Sequence, residues 1–262
     1  MVSVGSRMIW NALLEFLIRL SFGLCLGMLC SPPSKIPAGF FRVHLWVLLG
    51  LYTLATLFAT NQPETSTAPH LFWLLVTAAG LSYVGAVIWL YERVRAGQGA
   101  LVLLAVIGLL TVWQAAASKS STMSLGWACA DGLSASALLG FTMAAMLLGH
   151  WYLNSPGMQL QPLRRLLLLG AGSVLVRSVV CACGVGHLLQ SGYETTFGFW
   201  SILGLRWLAG LIGIAALQWM TWQTLKIPNT QSATGILYVA VIFSFLGELA
   251  AQLLSAGLPY PV

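Results

Sequence analysis

The chain has 262 residues, of which 58% are apolar and only 7% are charged, and its mean hydropathy is +0.87. An ordinary soluble domain has roughly 25% charged residues, so this composition excludes a water-soluble globular protein. The formal net charge is +6, but the basic residues stand singly or in pairs. The absence of a basic run excludes a nucleic-acid-binding patch. The composition therefore predicts an integral membrane protein.

Apolar segments recur along the whole chain, separated by short loops rich in Pro, Asn, Ser and Gly. Each segment has roughly 20 residues, enough to cross about 30 Å of hydrocarbon as an α-helix. The pattern predicts an all-α helical bundle with eight transmembrane helices, forming a single domain over 1–262. The predicted spans are 9–30, 39–60, 70–91, 99–118, 129–153, 165–189, 197–224 and 234–257.

Basic residues are divided unevenly between the two sets of predicted loops. One side carries seven of them, namely Lys35, Arg42, Arg93, Arg95, Arg164, Arg165 and Lys226. The other side carries only Arg7 and Lys119. Because cytoplasmic loops are enriched in Lys and Arg, we predict that both termini face away from the cytoplasm. This simple topology favours the inner (cytoplasmic) membrane of a bacterium.

Ionisable residues within the spans mark the interior of the bundle, because a charge in hydrocarbon is costly and needs a partner. Glu15 and Arg19 are four residues apart, so they share a helix face and can pair. Stripes of small and polar residues accompany the other intramembrane charges and favour close helix contacts. We predict that the first, sixth, seventh and eighth spans converge on one polar cluster. Its predicted members are Glu15, Arg19, Arg177, Arg206, Glu248 and His187.

Two interpretations of this polar cluster are open. It is a structural ion-pair network, or it lines a cavity for a polar or anionic head group such as a quinone carbonyl. Three arginines against two glutamates leave one unbalanced positive charge, which favours the cavity. Asp131 is a further candidate member, although an Asp near the start of a helix is also explained by the helix dipole.

The four histidines form two pairs at equal predicted depth, His44 with His150 and His70 with His187. Bis-imidazole ligation of haem b requires two histidines that reach one iron from neighbouring helices. Two such haems would give an electron path across the membrane. The alternative for each histidine is a local hydrogen bond or contact with a quinone head group.

Other chemistry-bearing patterns are missing from the sequence. The five cysteines have neither metal-ligand spacing nor an even disulfide framework, so we interpret them as small packing residues. There is no Walker A loop, no Gly-x-Ser-x-Gly elbow, no His-Glu-x-x-His and no Cys-x-x-Cys-His. The sequence therefore predicts neither a catalytic residue nor a metal site.

Two segments carry a family resemblance, Leu205-Arg206-Trp207 in the seventh span and Ile242-Phe243-Ser244-Phe245-Leu246-Gly247-Glu248-Leu249 in the eighth. With its Arg-Trp pair and its Gly-Glu-Leu sequence, the chain resembles the membrane anchor subunits of dimethyl sulfoxide reductase and the related polysulfide and nitrite reductase subunits. The resemblance implies a cofactor-poor subunit that exchanges electrons between a quinol and an iron–sulfur partner. It also implies that Glu248 or His187 handles protons.

The leading functional prediction is a membrane subunit of a respiratory or other electron-transfer complex that interacts with quinone or quinol. A haem b-binding subunit is a variant of that role. A transporter of a small anionic or lipid-linked substrate and a structural or assembly subunit are the alternatives from other classes. The predicted partners are the lipid bilayer and other subunits of a membrane complex.

Overall fold

A computed structural model of the chain describes residues 4–60, 68–119, 122–155, 157–227 and 229–262. Among these residues the regular secondary structure is entirely helical, and eight helical spans are long and apolar enough to cross a membrane. The predicted all-α transmembrane fold is confirmed. The helices are α1 (Val4–Leu29), α2 (Ala38–Thr60), α3 (Ala68–Leu90), α4 (Val94–Ser118), α5 (Leu125–Asn154), α6 (Gln161–Gln190), α7 (Phe197–Trp207), α8 (Ile214–Thr224) and α9 (Thr230–Ser255).

The predicted spans differ from the observed helices mainly at their ends. Helix α4 begins at Val94 rather than at residue 99, and α9 begins at Thr230 rather than at residue 234. Polar residues that resemble a loop in the sequence form an additional turn in each case. At α9 the Asn229 side chain explains the earlier start, because it accepts a hydrogen bond from the Ser232 amide at 3.0 Å and caps the helix.

Helix α5 is the central element of the bundle, since it packs against α1, α4, α6 and α9. In the most apolar stretches of α1 and α5, 72% of the residues are buried, against 28% in α2 and α3. Many residues on the buried face of α5 are small, including Gly132, Ala135, Ser136, Gly140 and Ala144. Small side chains let neighbouring backbones approach closely, so α5 can hold several partners at once.

Glycines make the closest of these contacts. A Cβ at Gly23 of α1 would overlap the Ser136 carbonyl of α5 and lie 2.9 Å from the Cα of Gly140. A second close crossing joins Gly210 of the seventh span to Gly247 of α9. In both places the lack of a side chain allows two helix backbones to come into contact, as expected where helices associate in lipid.

The seventh span consists of α7, a π-helical turn at Leu208–Gly213, and α8. A π-turn inserts extra chain into a helix and changes the direction in which the following residues face. Here the turn contains Gly210, which contacts α9, and it ends at Gly213, which lies against the Phe243 ring. Arg206 before the turn and Gln218 after it are both buried.

Helices α2, α3 and α4 form a layer on one side of α1, with α3 packed between α2 and α4. The rings of Phe41 and Trp89 stack at 4.3 Å and fix the contact between α2 and α3. Large apolar side chains cover the outer faces of this layer, among them Trp73 at 64% exposure and Leu103 at 52%. Such faces suit lipid and not water, so the chain is an integral membrane protein.

Substitution of Gly23 by Ala tests the contact between α1 and α5. The added methyl group overlaps the α5 backbone, and overpacking of this kind costs about 1–3 kcal/mol. We expect Gly23→Ala to lower the melting temperature of the detergent-purified protein. Gly80→Ala is the matched control, because no heavy atom lies within 4 Å of its added Cβ. Equal melting temperatures for the two variants would contradict the close crossing.

Candidate functional site

Four buried charges form a closed ring between α1, α5, α6 and α9, which we call the charge ring. Arg19 pairs with Asp131 at 2.6 Å through Nη2 and with Glu248 through Nη1. Arg177 pairs with the same two carboxylates, at 2.6 Å from Asp131 and 3.3 Å from Glu248. Each carboxylate directs one oxygen to each arginine. The four formal charges therefore cancel within the ring.

The charge ring is deeply buried, which explains why each member needs two opposite neighbours. The exposed fractions are 5% for Arg19, 4% for Asp131, 1% for Arg177 and 5% for Glu248. Removing an ion from water costs several kcal/mol, and paired charges offset that cost only when their remaining polar atoms are also bonded. Arg177 Nη1 also donates to the Asp131 carbonyl at 3.0 Å and to the Ser134 hydroxyl at 3.1 Å, whereas the buried Arg177 Nε has no hydrogen-bond partner among the described residues.

A third carboxylate, that of Glu15 on α1, extends the network toward the surface. Glu15 accepts a hydrogen bond from Arg19 Nη2 at 3.2 Å and pairs with Lys119 Nζ at 2.6 Å. The side chains of Glu15 and Lys119 are 17% and 26% exposed, well above the members of the charge ring. We call these two residues the rim pair. The rim pair connects the buried ring to an accessible edge of the bundle.

A cleft opens beside the rim pair, between α1, α4 and α5. The space enclosed between its walls is small, about 10 Å³, which is about the space that one water molecule needs. Glu15, Arg19 and Lys119 line one edge. The other walls are apolar or small: Ile18, Val112, Ala115, Ala116, Ala128 and Gly132. The cleft is therefore amphipathic, with its charged groups concentrated at one edge.

Four of the six predicted cluster residues, Glu15, Arg19, Arg177 and Glu248, are joined by direct ion pairs. The structure shows no such bond from Arg206 or His187 to this group within the described residues. The buried Arg206 donates from Nε to the main-chain oxygen of Val262 and from Nη2 to Cys181 Sγ at 2.6 Å.

His187 is exposed at the end of α6 and belongs to an aromatic group. Its ring stacks on Tyr260 at 5.5 Å and meets Trp127 edge-on at 5.7 Å. The aromatic contacts of His187 are with α5 and the segment after α9, and the hydrogen bonds of Arg206 go to α6 and to that same segment. The predicted polar cluster is divided between the charge ring with its rim pair and these two separate sites.

Two parts of the sequence interpretation need correction. The helices around the charge ring are α1, α5, α6 and α9, so α5 takes the place expected for the seventh span. The expected surplus positive charge is also absent from the ring, because Asp131 balances the second arginine. The six predicted cluster residues did not include Asp131 or Lys119. The position of Asp131 near a helix start was also explained by the helix dipole, and Lys119 was in a predicted loop. The small residues of α5 were the sequence signal for its central position.

The histidines occupy different surroundings. His44 is buried and its Nδ1 donates to the Phe40 carbonyl at 2.6 Å, whereas His150 is exposed and bonds through Nδ1 to the Tyr238 hydroxyl at 3.0 Å. His70 lies at the start of α3, which packs mainly on α2 and α4. The described residues contain no group of three or more His, Cys, Asp or Glu arranged for a metal ion. Haem ligation stays a prediction.

Comparison with known proteins adds no family assignment. No protein-family model, no curated protein and no solved structure matches this chain. The resemblance to the reductase membrane anchors stays a prediction on the residues that carry it.

Neutralising Asp131 tests the charge ring. Asp131→Asn leaves two buried guanidinium groups with one fewer carboxylate, and breaking a buried pair in this way costs about 3–5 kcal/mol. We expect a large drop in melting temperature, measured on the purified protein in mild detergent. The control is Glu15→Gln, which removes a partly exposed charge and should cost about 1 kcal/mol or less. Equal losses for the two variants would show that the ring does not hold the bundle.

Proposed function

We propose that this protein is a quinone-interacting membrane subunit of an electron-transfer complex, and that the cleft between α1, α4 and α5 receives the quinone head group. The observation that carries the proposal is the amphipathic lining of this cleft. A quinone head group is a flat apolar ring with a carbonyl oxygen on each of two opposite edges. Apolar walls with a charged edge match the polarity of that group. The helices that line the cleft would have to move apart to admit the ring.

The rim pair supplies the polar contacts that the head group requires. Lys119 Nζ is a donor for a quinone carbonyl, and the Glu15 carboxylate is an acceptor for a quinol hydroxyl. Arg19 holds Glu15 in place from the protein side. The apolar tail of the quinone would extend from the mouth of the cleft into lipid. Glu15 and Lys119 are therefore the proposed head-group ligands, and Arg19 is the positioning residue.

The rim pair also has a defined part in proton transfer. Oxidation of a quinol to a quinone releases two protons and two electrons. In the proposed site Glu15 accepts one proton, the second passes to water at the mouth, and both electrons pass to an iron–sulfur group of a partner subunit. We assign the proton to Glu15 rather than Glu248, because Glu248 already accepts hydrogen bonds from Arg19, Arg177 and Gln252.

A structural or assembly subunit is the second candidate, and the closed charge ring favours it. The four charges of the ring are paired with one another, as expected when charges only hold helices together. The two candidates make different demands on the cleft. A quinone site needs the cleft to widen until it admits the head group, whereas a structural subunit functions equally well when the cleft is filled.

Filling the cleft separates the two candidates. Ala115 lines the cleft, and Ala115→Phe places an aromatic ring in the space proposed for the head group. We expect this variant to bind a short-chain ubiquinone or menaquinone about tenfold more weakly, or worse, which is about 1.4 kcal/mol. Binding is measured with a photoreactive quinone analogue on the whole chain in detergent. Ala117→Phe, on the same helix but outside the cleft lining, is the control.

A second substitution removes a polar contact without adding side-chain volume, so a loss of binding cannot be attributed to misfolding. Lys119→Met retains most of the side-chain length and removes the proposed carbonyl donor, so it should also weaken labelling while melting temperature changes little. Labelled peptides are expected from α1, α4 and α5. Equal labelling of wild type, Ala115→Phe and Lys119→Met would overturn the quinone site and leave the structural candidate.

A further inference from the structure

The net formal charge of the chain lies at one end of the bundle. Within the spans, three arginines are balanced by Glu15, Asp131 and Glu248. The end that carries Lys119 has two basic and two acidic residues in the sequence. The opposite end has seven basic residues against Glu92 alone. That end therefore accounts for the whole formal charge of +6.

Contacts between three segments gather four of these seven basic residues at one place. Lys35, in the connection between α1 and α2, donates to the Gln161 side chain at the start of α6. Arg164, on the first turn of α6, donates from Nη2 to the Leu225 carbonyl at 2.9 Å. Lys226 follows Leu225 directly. These two hydrogen bonds join the first turn of α6 to the α1–α2 connection and to the α8–α9 connection.

Arg165 is the fourth member of the group. Burial raises the pKa of the Cys30 thiol, and the positive charge of Arg165 opposes that shift. Arg165 is therefore near the end of α1, on the same side as Lys35. We call Lys35, Arg164, Arg165 and Lys226 the basic corner. Arg164, Arg165 and Lys226 are exposed, and Lys35 is half-buried.

The basic corner has no acidic counterpart. The sequence contains no Asp or Glu in the connections 30–37, 155–160 and 225–229. In the part of the chain that the structure describes, no ion pair joins any of the four residues to a carboxylate. By contrast, Arg93 lies beside Glu92 in the turn between α3 and α4, and Arg95 lies on the first turn of α4. Topology alone requires basic loops, but it does not require them to converge.

We propose that the basic corner is a binding site for the phosphate head group of an anionic membrane phospholipid. The corner lies where α1 and α8 end and α6 begins, which is the depth of lipid head groups in a chain whose spans cross the bilayer. Basic groups between helix ends are a common recognition site for anionic lipid heads, each contributing favourably near a charged surface. Two arginines at the start of α6 also supply the multiple donors that a phosphate accepts.

The experiment compares two pairs of arginines that face the same side of the membrane. The whole chain is exchanged from detergent into nanodiscs of phosphatidylcholine alone or with phosphatidylglycerol, and retained lipid is counted by native mass spectrometry. We expect wild-type protein to retain phosphatidylglycerol preferentially, and Arg164→Gln with Arg165→Gln to lose about tenfold or more of that preference. Arg93→Gln with Arg95→Gln has the same change in charge and should retain it.

Two further measurements distinguish loss of lipid binding from structural damage, and a lipid from free phosphate. Arg164 makes a structural hydrogen bond, so Arg165→Gln with Lys226→Gln is included as a variant that leaves this bond intact and should also lose preference. Inorganic phosphate is added to the detergent-purified wild type in place of lipid. Equal losses in the two arginine pairs would indicate a general surface potential and overturn the site. Binding of inorganic phosphate to the wild type, and its loss in the Arg164→Gln, Arg165→Gln variant, would overturn the assignment to lipid.

Discussion

The interaction on which this structure depends is the charge ring of Arg19, Asp131, Arg177 and Glu248. Each ion taken out of water carries a penalty of several kcal/mol, so none of the four is tolerable without its opposite partners. The ring consequently sets which helices must be neighbours, because its members come from α1, α5, α6 and α9. It also fixes the position of Glu15, since Arg19 bonds to the ring and to Glu15 with one guanidinium.

The ring can close only because small residues let the helices approach. Gly23 lies against the backbone of α5 at Ser136 and Gly140, one helical turn from Arg19, and this crossing brings Arg19 to Asp131. The same arrangement leaves room for the cleft, where Ala115, Ala116 and Gly132 provide little side-chain volume. Helix packing, charge pairing and the candidate quinone site are thus consequences of the same close contact between α1 and α5.

Much of the fold was predictable from the sequence, because crossing a bilayer requires long apolar segments and each one is visible separately. The pairing of Glu15 with Arg19 was also predictable, since both lie on one helix four residues apart. The pairing of Asp131 with Arg19 and Arg177 was not predictable. It depends on which helices are neighbours, and the residue pattern of a single helix does not contain that information. The partners of Arg206, which are Val262 and Cys181 and not the charge ring, were unpredictable for a similar reason. Gly257, with a φ of 84°, turns the chain back after α9 and brings the Val262 oxygen to Arg206.

The most direct test of this account is a double-mutant cycle on Arg177 and Asp131, measured as the free energy of unfolding in detergent. Arg177→Met alone and Asp131→Leu alone each leave an unbalanced charge in the ring. The double variant leaves Arg19 and Glu248 as a neutral pair in an apolar setting. The account predicts that the double variant is more stable than either single variant, so the coupling energy exceeds the larger of the two single losses, which is about 3–5 kcal/mol. Additive losses, with no coupling, would contradict the charge ring.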